Sequence, residues 1–194
     1  MKVMLALGAV LLGAASPAIG QGTTARLPRV KLALEDAPRL GRPAPLVVLP
    51  YATAAGIGPV DQPFALGKEL GNIVVLAFYP GDFTPASTAQ WRAFRERADS
   101  LFGTGVVVVG VASDSLATHQ RFAQELELPF KLLGDADHTV ARRYAAMNSK
   151  QPRHMVVVVG RDGRVRYVDS TFAPLDPERY VHLATAIAAA KERP

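Results

Sequence analysis

The stretch Ile73-Val74-Val75-Leu76-Ala77-Phe78-Tyr79-Pro80-Gly81-Asp82-Phe83-Thr84-Pro85-Ala86-Ser87-Thr88-Ala89-Gln90-Trp91 decides the fold. Its first six residues are apolar without a two-residue alternation, as in a strand buried on both faces. Thr84 is a good helix N-cap, and Pro85 suits the first helical position because the N–H it lacks is not needed there. The reading is strand, tight loop, helix. Ser87 then falls in the first turn, where unpaired backbone N–H groups and the positive dipole end favour an electron-rich group.

Working outward, Trp91, Phe94, Ala98 and Leu101 share one helical face, with Arg92, Arg95, Glu96 and Asp99 outside. Val106–Val111 is a second buried strand. Ser113 or Asp114 can cap a helix running to about Leu126, with Leu116, Phe122, Ala123 and Leu126 inward. Phe130–Leu133 reads as a short strand and Asp137–Tyr144 as a short helix. Met155–Val159 is a third apolar run, and Arg161-Asp162-Gly163 turns it into Val165–Val168, a connection short enough to make the two strands antiparallel. Asp176 with Pro177 opens the last helix, whose buried face includes Tyr180, Leu183, Ala184 and Ile187. Before the central stretch, Leu46–Leu49 is a short strand, Tyr51–Pro63 a Gly- and Ala-rich loop, and Phe64–Leu66 a small edge element. This order predicts an α/β domain with a mixed central sheet flanked by helices on both faces.

Pro80-x-x-x-Thr84-x-x-Ser87 resembles the active-site signature of the peroxiredoxins, the alkyl hydroperoxide reductase C/thiol-specific antioxidant family, and the resemblance runs from about Gly41 to the last helix. It implies a thioredoxin-like fold and thiol-dependent reduction of peroxides. It further implies that Pro80 shields the site, Thr84 bonds the peroxide, and Ser87 stands where the family has its peroxidatic cysteine. A family arginine reaches that cysteine from a later strand, and Arg153 is the matching position. Arg92, five residues after Ser87, stands where one branch carries its resolving cysteine.

The 194 residues contain no cysteine. A peroxiredoxin thiolate attacks the O–O bond and becomes a sulfenic acid, whereas a serine hydroxyl stays protonated and has no comparable oxidation chemistry. The chain as written is therefore expected to lack peroxidase activity. Disulfides, CxxC chemistry and thiolate metal sites are excluded by the same count.

Hydrophobic residues make up 49% of the chain and charged residues 20%, which suits one globular domain. The net charge of +5 is scattered, with no block of like charges, so no nucleic-acid partner is expected. Lys2, the apolar run Val3–Leu12 and the small-x-small end Ala18-Ile19-Gly20 read as a signal peptide over residues 1–20. The run is too short to span a bilayer, so no stable membrane span is expected. The chain is read as exported, periplasmic or secreted, with a flexible lead-in at 21–40 and the domain at 41–194.

Three functional classes follow. One is a peroxiredoxin-like domain without its peroxidase chemistry, in which Thr84, Ser87 and Arg153 form a small polar pocket for an anion, a peroxide-like ligand or a water. The second is an enzyme with different chemistry, a hydrolase using Ser87, which needs a general base within hydrogen-bond reach. The third is an interaction module, and the resemblance allows a homodimer. His119, His138, His154 and His182 lack metal-ligand spacing, and Asp135-Ala136-Asp137-His138 reads as a helix N-cap; no cofactor or metal is expected. Asp82 reads as a turn residue, His119 as a satisfied semi-buried histidine, and Trp91 as core or pocket wall.

Overall fold

A computed structural model describes residues 37–192. The signal peptide at 1–20 and the lead-in as far as residue 36 lie outside the described residues. The elements run β1 (Val48–Leu49), β2 (Tyr51–Thr53), β3 (Gly56–Ile57), β4 (Phe64–Ala65), β5 (Ile73–Phe78), α1 (Pro85–Glu96), β6 (Val106–Ala112), α2 (Leu116–Glu125), β7 (Lys131–Gly134), α3 (Thr139–Arg143), β8 (Met155–Val159), β9 (Val165–Asp169) and α4 (Pro177–Lys191). Seven strands form one mixed sheet in the order β3-β2-β7-β6-β5-β8-β9, while β1 and β4 pair in a separate two-stranded sheet.

The three apolar runs are central neighbours, as the sequence predicts. Strand β5 lies parallel to β6, with Ile73 opposite Val106, and antiparallel to β8, with Phe78 opposite Met155. Strand β9 returns antiparallel to β8. Successive residues of β5 feed two different cores, which is why its sequence shows no alternation. Ile73, Val75, Ala77 and Tyr79 pack with Trp91 and Phe94 of α1, Phe122 of α2 and Leu183 and Ile187 of α4. Val74, Leu76 and Phe78 pack with Val140 of α3, Tyr144, and Val47 and Phe64 of the small sheet region. Helices thus cover both faces, three on one and the short α3 with a 3₁₀ turn at Leu66–Glu69 on the other.

Three local expectations change. Tyr51–Pro63 is not a plain loop: β2 and β3 form a hairpin that joins the main sheet through Ala52 opposite Leu132. Helix α2 is capped by Ser115, whose hydroxyl accepts from the Thr118 N–H, rather than by Ser113 or Asp114. Helix α1 ends at Glu96 and gives way to a π-helical turn over Ala98–Phe102, so the amphipathic run is helical in two pieces.

Candidate functional site

The loop from Tyr79 to Thr84 leaves the C-terminal end of β5 and delivers the chain to the first turn of α1. Thr84 is the N-cap, with Pro85 at the first helical position. The Thr84 hydroxyl oxygen accepts from the Ser87 N–H at 3.3 Å and stands 2.7 Å from Ser87 Oγ, to which it donates. One hydroxyl thereby satisfies an orphan N–H of the helix start and orients the side chain three residues on. Ser87 is fully buried, and Pro80 at the head of the loop is half-buried. The structure brings Thr84 and Ser87 together.

Arg153 goes elsewhere. Its Nη2 donates to the Ala145 carbonyl at 2.6 Å, its Nε is buried without a partner, and no described hydrogen bond joins it to Thr84 or Ser87. Its neighbour His154 takes the other direction, with Nδ1 2.7 Å from Gln90 Oε1 on α1. The strand that follows keeps this phase. Val156 and Val158 belong to the core containing Trp91, whereas Met155, Val157 and Val159 belong to the opposite core. The residue turned to α1 at the start of β8 is therefore a histidine. Burial pulls its pKa down to about 4, which leaves the imidazole neutral at pH 7. Gln90 is itself fully buried, and its amide nitrogen has no partner.

Beneath the loop lies a network that the sequence reading misses. Asp82 is a buried hub rather than a plain turn residue. Its Oδ1 accepts from the Tyr79 hydroxyl at 2.8 Å, and its Oδ2 stands 2.7 Å from Nδ1 of His119 in α2. The Asp82 backbone N–H donates to Asp114 Oδ2 at 3.0 Å. Burial, followed by the neighbouring Asp82 carboxylate, raises the Tyr79 pKa well above the usual phenol value, so the phenol remains a donor. The loop thus hangs from β6 and α2 by polar contacts, and between them Phe83 takes a positive φ of 59°. That backbone is uncommon for a bulky side chain. The Phe83 ring meets Phe122 at 5.0 Å, with the Arg121 guanidinium 5.6 Å from its centre.

The remaining candidates resolve simply. Trp91 is core, edge-on to Tyr79 and Phe94. Asp135 accepts from the N–H groups of Val140 and Ala141 and so serves the start of α3, as the capping reading expects. His182 is exposed, and Arg92 is an exposed residue of α1. A hydrolase would need a base on Ser87 Oγ. Among the described residues that atom receives Thr84, and no histidine or carboxylate bonds it.

Residues 40–168 match the AhpC/TSA family. A putative peroxiredoxin bcp of Coxiella burnetii is 40% identical over 111 residues, covering 57% of this chain and 69% of that protein. The chloroplastic peroxiredoxin Q of Triticum aestivum is 30% identical over 166 residues, covering 80% and 76%. Among solved structures, the peroxidoxin BcpB of Mycobacterium tuberculosis superposes with a TM-score of 0.65 at 25% identity, over 81% of this chain and 99% of that one.

Proposed function

Because the chain belongs to the AhpC/TSA family, the peroxiredoxins, and carries no cysteine, we propose that it is an exported member whose thiol-dependent peroxidase chemistry is lost. The observation that carries this reading is Ser87. It occupies the family's nucleophile position at the start of α1, buried and hydrogen-bonded to Thr84, and no thiol elsewhere in the 194 residues can replace it. A hydroxyl there neither ionises near neutral pH nor forms a sulfenic acid. The surroundings support the same reading. A thiolate is held by nearby positive charge, yet the residue that turns to α1 from β8 is a neutral histidine, and Arg153 is spent on a carbonyl. Export rests on Lys2, the apolar run Val3–Leu12 and the small-x-small end at Ala18–Gly20.

A second reading has its own support. Ser87 is sealed from solvent, whereas Phe83, 41% exposed, borders an open groove of about 630 Å³ with Arg121, Gln124 and Glu125. A binding or self-associating module, a homodimer included, would use such surfaces rather than the buried serine.

The experiment is peroxide consumption by the full chain with dithiothreitol, thioredoxin or glutaredoxin as reductant. The expected result is no turnover above background, and robust turnover would overturn the proposal. Ser87→Cys with His154→Arg restores both nucleophile and charge. It is expected to form a trappable sulfenic acid faster than Ser87→Cys alone. An inert pair of variants would favour the module reading. Export is checked by fractionation, where a chain retained uncleaved in the cytoplasm argues against it.

A further inference from the structure

Helix α4 departs from the pattern of the other two long helices. Helix α1 turns Arg92, Arg95 and Glu96 to solvent, and α2 turns out Arg121 and Glu125. In α4, by contrast, Tyr180–Ala190 holds no Asp, Glu, Lys or Arg. Its inner face is buried through Tyr180, Leu183, Ile187 and Ala190, while Val181, Thr185, Ala188 and Ala189 are exposed on the outer one. A surface helix carries its charge on that outer side, and a helix that is apolar all round is one that another surface covers.

The two ends of this outer face differ in shape. Along the N-terminal half runs a groove of about 330 Å³ between α4 and the π-helical turn, lined by Arg97, Leu101, Tyr180, Val181 and Ala184. Val181 is 63% exposed at its border, and Leu175, 79% exposed, extends the apolar surface past the helix start. The C-terminal half offers only the small side chains of Ala188 and Ala189. Pro177, Val181, Ala184 and Ala188 join the two halves at spacings of four, three and four, the repeat of a helix–helix seam.

We propose that a second copy of this chain covers α4, the two helices lying antiparallel across a two-fold axis near Ala184 and Thr185. The alanine half of each helix then lies along the groove of the other, and Val181 packs beside Ala188. Each copy supplies both parts of such a contact, which is what closes a dimer. Charge sets the direction. Glu178 in the first turn and Lys191 in the last flank the uncharged stretch. Neither has a partner among the described ion pairs, and the Lys191 ammonium rests on the Phe102 carbonyl at 2.9 Å. Antiparallel helices bring Glu178 of each copy opposite Lys191 of the other, whereas parallel helices set like charge against like. The 15-residue helix is about 22 Å long, and with the π-helical turn beside it the strip is roughly 20 Å wide, or roughly 400 Å² on each copy. That is the low end of specific interfaces, so the dimer is a transient one of micromolar affinity. It does not depend on the chemistry of Ser87, and it uses a face other than the Phe83 groove.

Sedimentation equilibrium of the full chain, from about 1 to 500 µM, should show a reversible monomer–dimer equilibrium. Val181→Glu and Ala188→Glu each place a carboxylate in the apolar contact at an exposed position, and each should raise the dissociation constant about tenfold or more with an unchanged melting temperature. Phe83→Glu should associate as the parent does. Because the chain has no cysteine, introduced thiols report the direction of the helices. An oxidised mixture of Val181→Cys and Ala188→Cys chains should cross-link to the mixed dimer in preference to either variant with itself. A monomer throughout the range, unchanged association in Val181→Glu, or preferential cross-linking of Val181→Cys to itself would each overturn the proposal. A dimer lost in Phe83→Glu and kept in Val181→Glu would overturn it in favour of the loop groove.

Discussion

Removing the Thr84 hydroxyl should cost more than removing a helix cap. In Thr84→Ala the Ser87 N–H loses its acceptor, a cap loss of about 1 kcal/mol. The same change strips the fully buried Ser87 Oγ of its donor at 2.7 Å, which costs a further ~1–3 kcal/mol for an unsatisfied buried group. The expected total is about 2–4 kcal/mol. Ser87→Ala keeps the cap, because residue 87 retains its N–H, and Thr84 can turn its hydrogen to the Gly81 carbonyl at 3.4 Å. That variant should lose only about 0–1 kcal/mol. In the double variant no hydroxyl is left stranded, so the total falls to about 1–2 kcal/mol, with a coupling of about 1–3 kcal/mol between the two sites. Thr84→Ser keeps both bonds and should lie close to the parent. The assay is urea unfolding of the parent and the four variants, read as a change in midpoint at constant slope. Additivity within about 0.5 kcal/mol would refute the claim that one hydroxyl serves both atoms.

Gly110→Ala tests the packing that seats α1. The added Cβ would stand 2.5 Å from Trp91 Cζ2 and 2.8 Å from Leu132 Cδ2, both in the buried core. A destabilisation of about 1–3 kcal/mol or more, with altered emission from the single tryptophan, is expected, and parent-like unfolding would contradict the tight approach. His154 should impose a pH dependence. Its folded pKa is held near about 4 by burial against an ordinary 6.5, so the unfolded chain takes up the proton first. Its contribution is complete above pH 6.5 and is lost as pH falls towards 4, by about 1–2 kcal/mol once partial solvent screening of this half-exposed group is allowed for. His154→Gln, which can still bond Gln90, should flatten that part of the stability–pH curve; an unchanged slope would remove His154 as its source.

The sheet is legible in the sequence because burial on both faces writes itself as unbroken apolar runs at Ile73, Val106 and Met155. Caps at Thr84 and Asp176 are legible because they act within three residues. The β2–β3 hairpin is not, since strands of three and two residues are too short to carry a pattern of their own. At Ser113-Asp114-Ser115 three consecutive residues can each cap a helix, and the choice is made by a loop 32 residues away that recruits Asp114. The site divides in the same way. The Thr84–Ser87 bond spans three residues, whereas Asp82–His119 spans 37 and Gln90–His154 spans 64. The assignment of Arg153 to the site fails on phase: Met155–Val159 is buried throughout, so nothing in its sequence marks which alternate positions face α1.

The chain between Gly41 and Ala44 runs along the outer side of β9. The Gly41 and Ala44 N–H groups donate to the carbonyls of Val165 and Gly163, the Val165 N–H returns to the Arg42 carbonyl, and Arg164 reaches the Gly41 carbonyl. That margin of the sheet is therefore already occupied over its first half. A second chain adding itself as an extra strand finds room only along Tyr167–Asp169 unless it first displaces Gly41–Ala44. At the opposite margin stands β3, two residues long. Among the described residues, neither rim offers the long, flat row of free backbone groups on which sheets stack into aggregates, a protection that matters in a protein with no disulfide to hold it together.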